Sequence, residues 1–170
     1  MIRLFLLLAV TAFLSPVARA AEPTNSPDMN CNGDVSGAVT GQFNCTMTVK
    51  REGKVVSFTV KPDGTPKGLK SFAPVTFVIK NPITVQTYTH RDLVKASLSM
   101  VTQAGKKYHS SGDVADRGDI EVEVISVEHQ RGINIGMMRV HAHLVPAAAK
   151  DESEIQLNLN VLTNLSLIHI

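Results

Sequence analysis

The chain has 170 residues, 44% of them hydrophobic and 19% charged, with a formal net charge of +2 at neutral pH. That length suits one domain with a sizeable core, and so small and scattered a charge leaves no electrostatic footprint for a nucleic-acid partner. There is no Trp, and the only tyrosines are Tyr88 and Tyr108; this weighs against a saccharide-binding module and against a large interface anchored by aromatic residues.

Residues 1–20, MIRLFLLLAVTAFLSPVARA, read as a secretory signal peptide. Arg3 supplies the positive start, and Leu4 to Leu14 form an apolar stretch too short to span a bilayer. Ala18-Arg19-Ala20 gives the small-x-small cleavage pattern ahead of Ala21. An uncleaved anchor helix is the alternative, and the shortness of the run argues against it. No cysteine follows the cleavage point, so a lipid anchor there is not indicated. Cleavage removes Arg3 and Arg19 and no acid, which leaves 15 basic against 15 acidic residues. The expected product is a formally neutral, periplasmic or secreted protein without a membrane span, free to meet a protein or envelope partner.

Residues 21–30 (AEPTNSPDMN) carry two prolines and little apolar content, the composition of a flexible leader. Residues 31–164 then form a single domain of strands and turns. Phe43, Cys45, Met47 and Val49 alternate with Asn44, Thr46 and Thr48, a half-buried strand. Arg51-Glu52-Gly53 turns the chain, and Val56, Phe58 and Val60 lead back, making a hairpin. Lys61 to Lys70 (KPDGTPKGLK) reads as loop. Strands follow at Val75 to Ile79, Val85 to Tyr88 and Ala96 to Thr102, with a turn at Gly105-Lys106. Ile120, Val122 and Val124 alternate with Asp119, Glu121 and Glu123; the phase then slips at Ile125 and Val127, which predicts a bulge or a strand end. Strands at Met137 to Val145 and Ile155 to Leu162 complete the set, and Ala147 to Glu154 is the one candidate short helix.

About eight strands, each apolar on one face, must bury those faces against one another. The expected fold is all-β: an antiparallel β-sandwich, with a closed β-barrel as the alternative. No repeat of fixed period suggests a propeller or solenoid. The opening Ser36-Gly37-Ala38-Val39-Thr40-Gly41-Gln42-Phe43-Asn44-Cys45 resembles the start of many uncharacterised bacterial exported β-sandwich proteins. The likeness covers most of the mature chain; it implies export and a β-fold, and brings no activity with it.

Cys31 and Cys45 are the only cysteines, and export places them where disulfides persist. The expected bridge pins the N-terminal segment onto the strand that holds Phe43. A redox or thiolate-metal role lacks both a Cys-x-x-Cys spacing and a neighbouring histidine.

In Met138 to Val145 (MRVHAHLV), Val140, Ala142 and Leu144 share one face of a strand, and Arg139, His141, His143 and Val145 the other. Two in-phase imidazoles are two-thirds of a zinc or copper site, with His90, His109 and His129 as candidate third ligands. Arg139 opposes a metal there unless it is paired away. The competing reading, the preferred one, is the solvated side of an ordinary strand. Residues 111–121 (SGDVADRGDIE) gather Asp113, Asp116, Asp119 and Glu121, oxygen ligands of the kind calcium takes. Their spacing matches no EF-hand and Arg117 lowers the local charge, so a solvated acidic loop is the expectation. Arg117-Gly118-Asp119 is treated as a chance tripeptide.

No nucleophile elbow, His-Glu-x-x-His, Walker or dinucleotide pattern occurs. Asn44-Cys45-Thr46 and Asn164-Leu165-Ser166 are formal glycosylation sequons, of consequence only in a eukaryote. Residues 165–170 (LSLIHI) resemble a translated sequencing-adapter tail and carry no functional weight, the alternative being a strand that stops there. The leading expectation is an exported, non-enzymatic, structural or accessory envelope or extracellular domain with no cofactor. A metal-binding protein using His141 and His143 is second, and a hydrolase with no nominated residue is third.

Overall fold

Among the described residues, eleven strands carry the alternation, ordered as β1 (Cys31–Gly37), β2 (Gly41–Glu52), β3 (Val55–Pro62), β4 (Leu69–Phe72), β5 (Val75–Lys80), β6 (Thr87–Tyr88), β7 (Lys95–Thr102), β8 (Lys107–Ser111), β9 (Ile120–Gln130), β10 (Ile133–Pro146) and β11 (Ile155–Asn164). The structure is a computed structural model that describes residues 31–111, 119–130, 133–147 and 153–164, with no helix among them. The signal peptide, the leader, Asp113, Asp116, Arg117, Gly118 and the 165–170 tail lie outside the described residues.

Every pairing is antiparallel, and eight strands close into a barrel in the order β11-β1-β2-β3-β5-β7-β8-β10, with β10 returning to β11. The fold is therefore the barrel alternative and not the sandwich. Period-two patterning fits either, because both bury one face of each strand; the register that joins the last strands to the first is what closes the sheet. Three strands sit outside the barrel: β4 on β7, and the pair β6–β9 on β10. Closure depends on β10 changing partner along one edge. Its residues 133–142 pair with β9, after which Val145 and Pro146 pair with His109 and Tyr108 of β8. Of the bulge or strand end expected near Ile125, the structure has the bulge: Met137 faces Ser126 while Met138 faces Val124, and the strand continues.

The interior is filled by the inward residues of all these strands. Phe58, Phe77, Ile79, Met100, Leu144, Ile155 and Leu157 are each at most 1% exposed. Phe58 and Phe77, register partners on β3 and β5, stack with ring centroids 4.8 Å apart. The connection between β5 and β7 buries Ile83, Tyr88 and Leu93. Within it Asp92 accepts hydrogen bonds from the Thr89 hydroxyl (2.8 Å) and the Thr89 amide (2.9 Å). The hydroxyl first, and the amide second, hold the Asp92 carboxyl below its usual range.

Two expectations about local structure change, and two strands appear that the sequence pattern did not single out. The loop read over 61–70 is invaded from both ends, by β3 running to Pro62 and β4 starting at Leu69. The strand expected over 85–88 shrinks to Thr87–Tyr88, and Val85 is exposed. The polar segments β1 (CNGDVSG) and β8 (KYHSS) are strands despite weak intrinsic preference, because neighbours on both sides satisfy their backbone groups. Of the expected helix, Ala147 lies in a bend and Ser153 and Glu154 are irregular; residues 148–152 lie outside the described set.

The glycines of β1 show why such a segment belongs in the wall. A Cβ on Gly33 would lie 2.5 Å from Leu159 Cδ2 and 2.8 Å from both the Asn158 carbonyl oxygen and Phe43 Cζ. The Phe43 ring covers the space a side chain would need, and it meets Phe72 edge-on at 5.2 Å. Gly37 has φ +99°, and its missing Cβ leaves room for the Glu154 carbonyl oxygen at 2.4 Å from that position; that oxygen accepts a hydrogen bond from the Ala38 amide at 2.8 Å. Gly33→Ala is expected to destabilise the protein by about 2 kcal/mol, the usual scale for forcing a group into a filled core. Urea denaturation followed by circular dichroism measures it.

Cys31 and Cys45 form the expected disulfide. They are direct register partners on β1 and β2, with Cα atoms 4.9 Å apart and both side chains buried.

Candidate functional site

The outer face of the sheet β9-β10-β11-β1-β2 is polar throughout its middle rows. One row runs Glu123, Arg139, Asn160, Asn32, Asn44, and the next Glu121, His141, Asn158, Asp34, Gln42. The same alternation that sends Val140, Ala142 and Leu144 into the core sends Arg139, His141 and His143 outward. At one end of this face a groove of about 450 Å³ is lined by Asp119, Glu121, His141, His143, Glu154 and Asn158, among others.

The two histidines share the groove but have different partners. His141 Nδ1 lies 2.8 Å from Asn158 Oδ1, and Asn158 Nδ2 donates to Asp34 Oδ2 at 3.0 Å. His143 Nε2 pairs with Glu154 Oε2 at 2.7 Å, while its backbone amide donates to the Asp119 carbonyl at 2.8 Å. Arg139, the cation that opposed a metal, is paired with Glu123 at 2.9 Å.

The candidate third ligands are dispersed. His90 Nδ1 is 3.4 Å from Asp119 Oδ1. His109, on β8, pairs with Val145 of β10, and His129 pairs through its backbone with Asn134, far along β10 from His141. Among the described residues, no three His, Cys, Asp or Glu side chains are grouped so as to hold a metal ion. Of the calcium candidates, Asp119 lies at the β9 entrance beside His90 and Glu121 on β9 opposite His141, while Asp113 and Asp116 lie outside the described residues. No known family model, curated protein or solved structure matches the chain. The reading of this site therefore rests on its own geometry.

Sequence reasoning missed Asp34, Asn158 and Glu154. Asn158 stood in plain alternation on its strand, but only the β1–β11–β10 register puts it between Asp34 and His141. The His143–Glu154 contact joins two side chains that are 40% and 51% exposed. Pairs in that setting contribute little. Glu154→Gln is expected to cost less than about 1 kcal/mol, and the difference should vanish in 1 M salt. Thermal melts at low and high ionic strength measure it.

Proposed function

We propose that the protein is an exported, non-catalytic β-barrel module, structural or accessory in an envelope or extracellular setting, that works through the polar outer face of β9-β10-β11-β1-β2. The observation that carries this reading is the filled interior. Eight-stranded barrels either pack their lumen or hold one small ligand there; here Phe58, Phe77, Met100 and Leu157 occupy the space. Recognition is then left to the outside, where this face carries two continuous rows of hydrogen-bonding side chains. Among the described residues, the groove around His141 is lined by carboxylates, imidazoles and amides, groups suited to holding a polar partner. The disulfide supports a location where thiols are oxidised.

The test is site-specific photocrosslinking in a bacterial host that exports the full chain, with the probe at Asn44 on this face or at Lys80 on β5. The expected result is a discrete adduct from Asn44 in the envelope fraction and none from Lys80. Retention of the protein in the cytoplasm, or equal labelling from both positions, overturns the reading.

A further inference from the structure

The chain of contacts through Asn158 fixes which ring nitrogen of His141 is available. A carboxylate only accepts hydrogen bonds, so the Asn158 amide nitrogen must face Asp34, as it does at 3.0 Å. The amide oxygen then faces His141 at 2.8 Å, and Nδ1 must carry the hydrogen. In the neutral ring this leaves a lone pair on Nε2. His143 differs, since its Nε2 is engaged by Glu154.

Glu121 is the direct register partner of His141 across β9 and β10, and both line the groove. Directly opposed side chains on one face have Cβ atoms about 5 Å apart. The next pair along the same two strands, Glu123 and Arg139, closes to 2.9 Å, so side chains in this register do meet. That contact also pairs the Arg139 guanidinium, next but one to His141 along the strand, with a carboxylate. An imidazole with Nδ1–H held by a polar neighbour, itself anchored by a carboxylate, is how metal-binding histidines are oriented.

We propose that His141 Nε2 and the Glu121 carboxylate form a two-ligand surface site for a borderline divalent transition-metal ion, completed by water. Asn158 and Asp34 act as positioning residues, and His143 is not a ligand. The site goes beyond the proposed function and does not depend on export or on an envelope partner.

Cu²⁺ is the probe, because nitrogen and oxygen sites bind it most tightly among these ions. The expected result of titrating the folded protein is one saturable site whose electron paramagnetic resonance spectrum reports a single imidazole nitrogen. Binding is lost in His141→Ala, weakened at least about 10-fold in Glu121→Gln and in Asn158→Ala, and unchanged in His143→Ala. Metal-free ¹⁵N NMR near pH 8 should show His141 protonated on Nδ1, with Asn158→Ala moving the ring toward the other tautomer. The proposal is overturned by no saturable binding, by survival of the site in His141→Ala, by equal loss in His143→Ala, or by an Nε2–H tautomer in the parent protein.

Discussion

Phe77→Ala is expected to lower the free energy of unfolding by about 4 kcal/mol, the scale for deleting a buried aromatic side chain. Phe77 is 0% exposed, as is Phe58, which stacks on it at 4.8 Å with ring planes 12° apart. Truncation removes the transfer term of the ring, opens a cavity, and forfeits a pair contact worth roughly 1 kcal/mol. The barrel wall cannot collapse into the gap, because hydrogen-bonded neighbours on both sides fix β5 between β3 and β7. A domain with a total stability of about 5–15 kcal/mol loses a large share of it. The melting temperature should fall by on the order of 10 °C. Val85→Ala, at a position 60% exposed, serves as the control and should move stability by less than about 0.5 kcal/mol. Equal shifts for the two variants would contradict the filled-core description.

Removing the disulfide, as Cys31→Ser with Cys45→Ser, is expected to cost about 3 kcal/mol in the chain-entropy account of a loop this long; the two residues are 14 apart in sequence. The structural consequence is local. Cys31 opens β1, where it pairs with Cys45 on one side and Val161 on the other. β1 lies between β2 and β11, the last of the described strands, so loosening it loosens the barrel seam. Hydrogen exchange should rise in β1 and at the Val161 end of β11 well before β5 or β7 responds. Dithiothreitol should reproduce the loss in the parent protein and do nothing to the double variant. Unchanged denaturation midpoints in all three cases would remove the staple from the stability argument.

The outer-face site was only half legible. The in-phase placement of His141 and His143 follows from strand periodicity alone, and so does their outward orientation. What the pair does chemically was not legible, because it depends on residues distant in sequence. Asp34 lies 124 positions from Asn158, and their contact exists only because β1 and β11 are neighbours. The same register separates two histidines that look equivalent in sequence: His141 meets an amide, and His143 meets Glu154 where the chain enters β11. Arg139, which argued against a metal in the sequence, is paired with Glu123 in the fold.

The chain's alternation by itself pointed to an all-β protein and to the residues that face inward, its phase slip marked a bulge or a strand end near Ile125, and two cysteines in a chain read as exported pointed to a bridge. Each of these is a property of a strand or of two short neighbouring segments. Tertiary structure alone decided that the sheet closes into a barrel, that the polar segments β1 and β8 become strands, and that Asn158 stands between Asp34 and His141. These depend on which strands become neighbours, and hydrogen bonding between distant segments fixes that, with little trace in local hydrophobic pattern.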